Sequence, residues 1–235
     1  MSNAENPLII ALDVDSAEEA LRLIDKIGPA ANFYKVGMEL YAAAGMSLVK
    51  QIAASGRKVF LDLKLYDIGE TVKRATRQIC ASAFPAFLTV HGSRSVMQAA
   101  VEGRGDAATR LLAVTVLTSF DQDDLADLGY ATPVADLVDL RVKKARASGI
   151  DGIVCSPLEV ARVRTLAGAD MKLVTPGVRS AGADKGDQKR VATPAEALRD
   201  GADYLVIGRQ VTRAGDPRRA CEDILAEFAT PLSAR

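Results

Sequence analysis

Eight short runs of apolar and β-branched residues recur along the chain, at 8–14, 33–36, 58–63, 87–91, 111–117, 152–155, 172–175 and 204–207. Apolar residues at three- and four-residue spacing fill the stretches between them, as in 18–27, 134–147 and 195–199, the last behind a Thr193 cap and Pro194. A strand followed by a helix, eight times over, predicts an α/β fold: a (β/α)8 TIM barrel forming a single domain over residues 1–235, with 1–6 a flexible tail. Periodicity is weakest over 84–110, and 120–132 reads as a longer loop with a short helix. A doubly wound open sheet would carry a G-x-G-x-x-G turn after its first strand, where this chain has Leu12-Asp13-Val14-Asp15-Ser16.

The third run, Phe60-Leu-Asp-Leu-Lys-Leu-Tyr-Asp-Ile68, sets Asp62 and Lys64 inside an apolar segment. Residues two apart on a strand share a face, so the two charges project together, and burying them is costly unless each is paired. A D-x-K at a strand end is also the pattern of a weak surface ion pair. Recurrence favours the site: polar residues close several other runs, with Asp13 at strand one, Lys35 at two, His91 at four, Thr118 at five, Gly177 and Arg179 after seven, and Gly208 and Arg209 after eight. A barrel gathers all these endings on one face, where function collects.

The loops after strands seven and eight, Pro176 to Arg190 and Gly208-Arg209, suit an anion, because glycine admits backbone N–H groups and arginine offers a bidentate fork. A mobile surface loop beside a capping arginine is the alternative. Gly182 to Gly186 would suit a lid, from which Gln188 could reach the reacting part of a ligand.

With 235 residues, 49% hydrophobic and zero formal net charge, the composition accommodates a large core and offers no basic surface for nucleic acid. Three widely spaced cysteines and one histidine exclude a zinc spacing and argue against a disulfide framework, which points to a reducing compartment. No apolar run reaches membrane-spanning length and residues 1–6 lack a secretory pattern, so no membrane association and a cytoplasmic location are expected.

Ala11-Leu-Asp13, Tyr34-Lys35-Val-Gly, Asp62-Leu-Lys64-Leu-Tyr-Asp67-Ile68, Thr115-Val-Leu-Thr118-Ser, Pro176-Gly-Val-Arg179, Gly186-Asp-Gln188-Lys-Arg190 and Ile207-Gly208-Arg209 stand in this order at the predicted strand ends. Together they resemble the orotidine 5′-phosphate decarboxylase family, cofactor-free enzymes of pyrimidine synthesis, over nearly the whole chain. The resemblance implies a charge network of Lys35, Asp62, Lys64 and Asp67, with no metal and no cofactor. It implies a homodimer in which Asp67 and Thr71 enter the partner's site, and it sets Ile68 among the substrate-binding residues. Asp13 and Lys35 would bind ribose hydroxyls, Thr118 the pyrimidine, Gln188 ring and phosphate, and Arg179, Gly208 and Arg209 the phosphate. Lys64 would protonate C6.

Two positions depart from the family's pattern: Gly69-Glu70 replaces a usual Pro-Asn, loosening the start of the next helix, and Gln210 stands where proline often follows Gly-Arg. His91 reads as a structural residue, Asp15 and Ser16 as a helix cap, Glu39 as a first-turn acid and Cys155 as buried. The related 3-keto-L-gulonate 6-phosphate decarboxylases and hexulose-6-phosphate synthases share D-x-K-x-x-D but use magnesium, with an acid ending strand two where this chain has Lys35. A barrel that keeps the anion site without the reaction is the noncatalytic alternative.

Overall fold

Strands buried on both faces are written as nearly continuous apolar runs, and each of the eight runs becomes a parallel strand of one closed barrel in the computed structural model, which describes residues 6–180 and 192–229. The strands are β1 (Leu8–Ala11), β2 (Phe33–Gly37), β3 (Lys58–Leu65), β4 (Phe87–His91), β5 (Arg110–Val114), β6 (Gly152–Val154), β7 (Lys172–Thr175) and β8 (Tyr204–Ile207). Pairing of Leu8, Ile9 and Ile10 with Leu205, Val206 and Ile207 closes the ring.

The α-helices among the described residues are α1 (Ala17–Ile27), α2 (Met38–Ala54), α3 (Gly69–Ala83), α4 (Arg94–Arg104), α5 (Gln122–Asp127), α6 (Val134–Ala147), α7 (Val160–Ala167), α8 (Pro194–Arg199), α9 (Arg209–Thr212) and α10 (Pro217–Ala229). Their starts follow local chemistry: Ser16 Oγ accepts the Glu19 N–H, and Thr193 with Glu196 forms a capping box ahead of Pro194. Predicted α6 is found at its predicted bounds, and the short helix expected in 120–132 is α5.

Side chains alternate between two cores. Leu8, Ile10, Leu88, Val90, Leu111, Ala113, Ile153 and Leu205 face the helices. Ile9, Phe33, Phe60, Phe87, Leu112, Val174 and Tyr204 fill the barrel. Phe33, Phe87 and Tyr204 open their strands, and their rings, 5.1 to 5.7 Å apart, plug the end opposite the predicted site.

The strand ends differ in detail from expectation. β1 stops at Ala11 and β5 at Val114, short of Val14 and Leu117. After Ala11 the Leu12 N–H still bonds the Lys35 carbonyl at 3.0 Å, and the chain then turns into the Ser16 cap. Asp13 and Thr118 therefore lie on the loops just beyond their strands. Lys35 is the middle residue of β2, not its last.

Asn6 anchors the chain ahead of β1, its amide donating to the Ala30 carbonyl and its oxygen accepting the Leu8 N–H; residues 1–5 of the expected tail lie outside the described residues. Cys80, Cys155 and Cys221 are buried and outside any disulfide, as the reading of Cys155 anticipates. Among the described residues, no helix is long and apolar enough to cross a membrane.

Candidate active site

The C-terminal strand ends surround a cavity of about 590 Å³, within the usual range of small-molecule sites. Asp13, Lys35, Asp62, Lys64, Thr118, Arg179, Gly208 and Arg209, from six strand ends, all line it. Val114, Val116 and Val154 supply an apolar wall.

The charges form a chain. Lys35 Nζ lies 2.9 Å from Asp13 Oδ1 and 3.8 Å from Asp62 Oδ2, while Lys64 Nζ bonds Asp62 Oδ1 at 2.9 Å. The inner members are withdrawn from water, with the Lys35 and Asp62 side chains only 12% and 13% exposed. Each ammonium has a carboxylate, which lets the group be buried at all. Gly37, paired in register with Asp62, makes room: a Cβ there would come within 2.9 Å of Lys35 Nζ and 3.4 Å of Asp13 Oδ1.

β3 is not the regular strand that simple alternation predicts. Its register with β4 runs Leu61 to Leu88 but then Leu65 to Val90, so four steps on β3 match two on β4. Lys64 sits inside this bulge at φ +50°, a left-handed conformation unfavourable for a side chain other than glycine. The buried Thr89 of β4 faces the bulge. Its Oγ1 accepts the Lys64 N–H and donates to Asp62 Oδ1, both at 2.9 Å.

Asp67, Ile68 and Thr71 stand apart from this cavity. Asp67 Oδ1 accepts the Ile68 N–H at 2.6 Å, Ile68 precedes α3, and Thr71 is exposed in its first turn. The segment turns apolar groups outward, with Tyr66 69% and Ile68 74% exposed. Despite Gly69, α3 starts there, the Val72 N–H bonding the Ile68 carbonyl at 3.1 Å.

At the other end of the barrel, where β7 and β8 begin, Asp203 locks the two strands, accepting bonds from Leu173 N–H, Lys172 and Arg164. Burial works against that carboxylate, but the three donors outweigh it and hold its pKa below the usual range. Gln210, a departure from the resembled pattern, has a use: its Oε1 accepts the Ser180 N–H at 3.2 Å and its Nε2 donates to Ser180 Oγ. That bridge ties the residue after Arg209 to the residue after Arg179. Gln188 and the Gly182 to Gly186 segment lie outside the described residues.

His91 ends β4 with its ring stacked on Tyr66 at 4.1 Å. Burial first, and the Arg141 charge second, push its pKa down to about 4, so the ring is neutral near pH 7. Its Nδ1 is buried without a hydrogen-bond partner among the described residues. Arg141 of α6 donates to the Thr115 carbonyl and, at 3.1 Å, to the Tyr130 hydroxyl, bracing the segment that leads to Thr118. Glu39 sits in the first turn of α2 and also lines the cavity. Ser119, which closes the Thr115 to Ser119 motif but carries no predicted role, lines it too, as does Arg213 without any motif to single it out, and Thr89 is hidden in an ordinary strand run.

Residues 6–224 match the sequence profile of the orotidine 5′-phosphate decarboxylase / HUMPS family. A protein of Rhodopseudomonas palustris (strain BisB5) named orotidine 5′-phosphate decarboxylase is 53% identical over 222 residues, 94% of each chain. One of the same name from Methylobacterium sp. (strain 4-46) is 55% identical over 225 residues, 94% of this chain and 95% of that protein. The crystal structure of orotidine 5′-phosphate decarboxylase from Lactobacillus acidophilus superposes with a TM-score of 0.84 at 37% identity, over 96% of this chain and 100% of that one.

Proposed function

The chain belongs to the orotidine 5′-phosphate decarboxylase / HUMPS family, and from that premise we propose that it decarboxylates orotidine 5′-phosphate to uridine 5′-phosphate in pyrimidine biosynthesis, without metal or cofactor. The observation that carries this reading is the Lys35–Asp62–Lys64 chain in one cavity with Arg179 and Arg209. An anionic sugar phosphate bound by the arginines would lay its base against the alternating charges.

In the reaction the C6–carboxylate bond breaks, carbon dioxide departs, and the electron pair stays on C6. No ring carbonyl delocalises that pair as an ordinary enolate, so fixed charge has to stabilise it. Lys64 supplies the positive charge and then the proton, giving uridylate and a neutral amine that water reprotonates. Asp62 holds Lys64 in place and crowds the substrate carboxylate with like charge, which favours a transition state where that charge has moved away. Asp13 and Lys35 take the ribose hydroxyls, Thr118 the pyrimidine, and Arg179, Gly208 and Arg209 the phosphate. Gln188 is assigned to ring and phosphate by resemblance.

The exposed Tyr66 and Ile68 flanking Asp67 support the homodimer reading, because their burial against a second copy would carry Asp67 and Thr71 to the partner's site, with Ile68 beside them. A magnesium-dependent activity on another sugar phosphate is disfavoured by Lys35, whose ammonium stands between Asp13 and Asp62 and would repel a divalent cation. EDTA-treated protein is expected to convert orotidylate to uridylate, followed by the ultraviolet change, while Lys64→Ala abolishes turnover and still binds uridylate. Turnover that requires added magnesium, or near-normal turnover by Lys64→Ala, would refute the assignment.

A further inference from the structure

We infer that Thr89 is a positioning residue for the Asp62/Lys64 pair, its hydroxyl joining the two inside the β3 bulge; the inference rests on the decarboxylase reading for its effect on turnover.

A bulge takes a strand's backbone groups out of the ladder, and a buried N–H left without an acceptor is costly. The Lys64 N–H lies within the stretch where β3 and β4 lose register, and it finds its acceptor in Thr89 Oγ1 at 2.9 Å. The same hydroxyl hydrogen points to Asp62 Oδ1, again at 2.9 Å, on the oxygen that accepts Lys64 Nζ. One buried hydroxyl thus fixes the backbone of the proposed proton donor and the carboxylate that holds its ammonium.

Geometry makes the hydroxyl necessary and not merely compatible. Thr89 is 0% exposed, so water does not stand in for it. Its neighbours Leu88 and Val90 face the helix layer, leaving residue 89 as the β4 side chain turned into the barrel beside the bulge. Lys64 at φ +50° would relax toward an ordinary strand conformation if its N–H were released, swinging its side chain away from Asp62. Valine fills the same volume without donor or acceptor, whereas serine keeps the hydroxyl and drops a methyl.

Thr89→Val and Thr89→Ser separate the hydroxyl from packing. Thr89→Val is expected to lower kcat for orotidylate by about tenfold or more, with KM and uridylate affinity within about twofold of the parent because the phosphate and ribose contacts are untouched. Thr89→Ser should recover most of kcat. Exchange of the Lys64 amide hydrogen, read by NMR on the whole protein, should accelerate in Thr89→Val and not in Thr89→Ser. An unchanged kcat in Thr89→Val, equal losses in both variants, or KM and product affinity worsening in step with kcat would overturn the inference. Should the parent protein fail to turn over orotidylate, the decarboxylase reading falls, while amide exchange still decides the role of Thr89: unchanged exchange in Thr89→Val overturns it.

Discussion

Lowering the pH from 7 to 5 should cost this protein stability through His91, and the amount follows from the ring's surroundings. The imidazole is stacked on Tyr66 and half-buried, and burial together with Arg141 lowers its pKa from 6.5 to about 4. In the unfolded chain the ring takes up a proton as pH falls through about 6.5, while the folded one resists until about 4. Between those values the unfolded state binds more protons, so stability rises with pH across the window and is lost on acidification. The linkage expression with these two pKa values gives about 2 kcal/mol at pH 5, trimmed toward about 1 by the ring's contact with solvent. Other carboxylates titrate as well, so the informative quantity is a difference of differences against His91→Phe, which keeps the stack and removes the titration. Urea unfolding of both proteins at pH 7 and pH 5 should show the parent losing about 1 to 2 kcal/mol more than the variant. Equal losses would mean that His91 takes up its proton as readily folded as unfolded, and the account of a buried neutral ring would be wrong.

Two further outcomes follow from the cavity. Gly37→Ala places a methyl 2.9 Å from Lys35 Nζ; the flexible ammonium yields, so the thermal unfolding midpoint should barely move while kcat/KM drops by about tenfold or more, and an unchanged kcat/KM would show that Lys35 need not sit between Asp13 and Asp62. Arg209→Ala should raise KM for orotidylate by about 10- to 100-fold through loss of charge-assisted bonds, measured by steady-state kinetics, and an unaltered KM would remove Arg209 from the phosphate site.

Much of the barrel is legible in the chain because a strand covered on both faces has to be apolar nearly throughout, and eight such runs with helical spacers leave few arrangements. Strand ends are less legible. Leu12 and Val116 are as buried as any strand residue, so hydrophobicity alone extends β1 and β5 past the points where pairing stops. Lys35, Asp62 and Lys64 stand out because charges inside apolar runs demand an explanation, and the structure brings all three into one cavity. Thr89 gives no such signal, since a threonine is common in strands and its importance comes from a bulge on the neighbouring strand. Gln210 shows only as a departure from a pattern, and its bond to Ser180 depends on two loops distant in sequence. Asp67 and Thr71 stand outside the cavity, and the role proposed for them needs a second copy, which one chain's hydrophobic pattern does not encode.

The irregularity of β3 is where local conformation meets the chemistry proposed for this site. On a regular strand, side chains two residues apart project in parallel, their Cα atoms about 6.6 Å apart, so an ammonium reaches its neighbour's carboxylate only by leaning along the strand. The bulge changes this: with Lys64 at φ +50°, Nζ folds back to 2.9 Å from Asp62 Oδ1. Such a conformation costs about 1 to 2 kcal/mol for a residue with a Cβ, and the disturbed register removes ladder bonds as well. Regular pairing of β4 with β5 across five residues, and the Thr89 hydroxyl across the gap, hold the neighbourhood against relaxation. In the proposed reaction a donor held this way would meet the bound base already aligned, leaving little reorganisation for the step in which charge develops at C6, and in that sense the strained lysine would serve better than one on a relaxed strand.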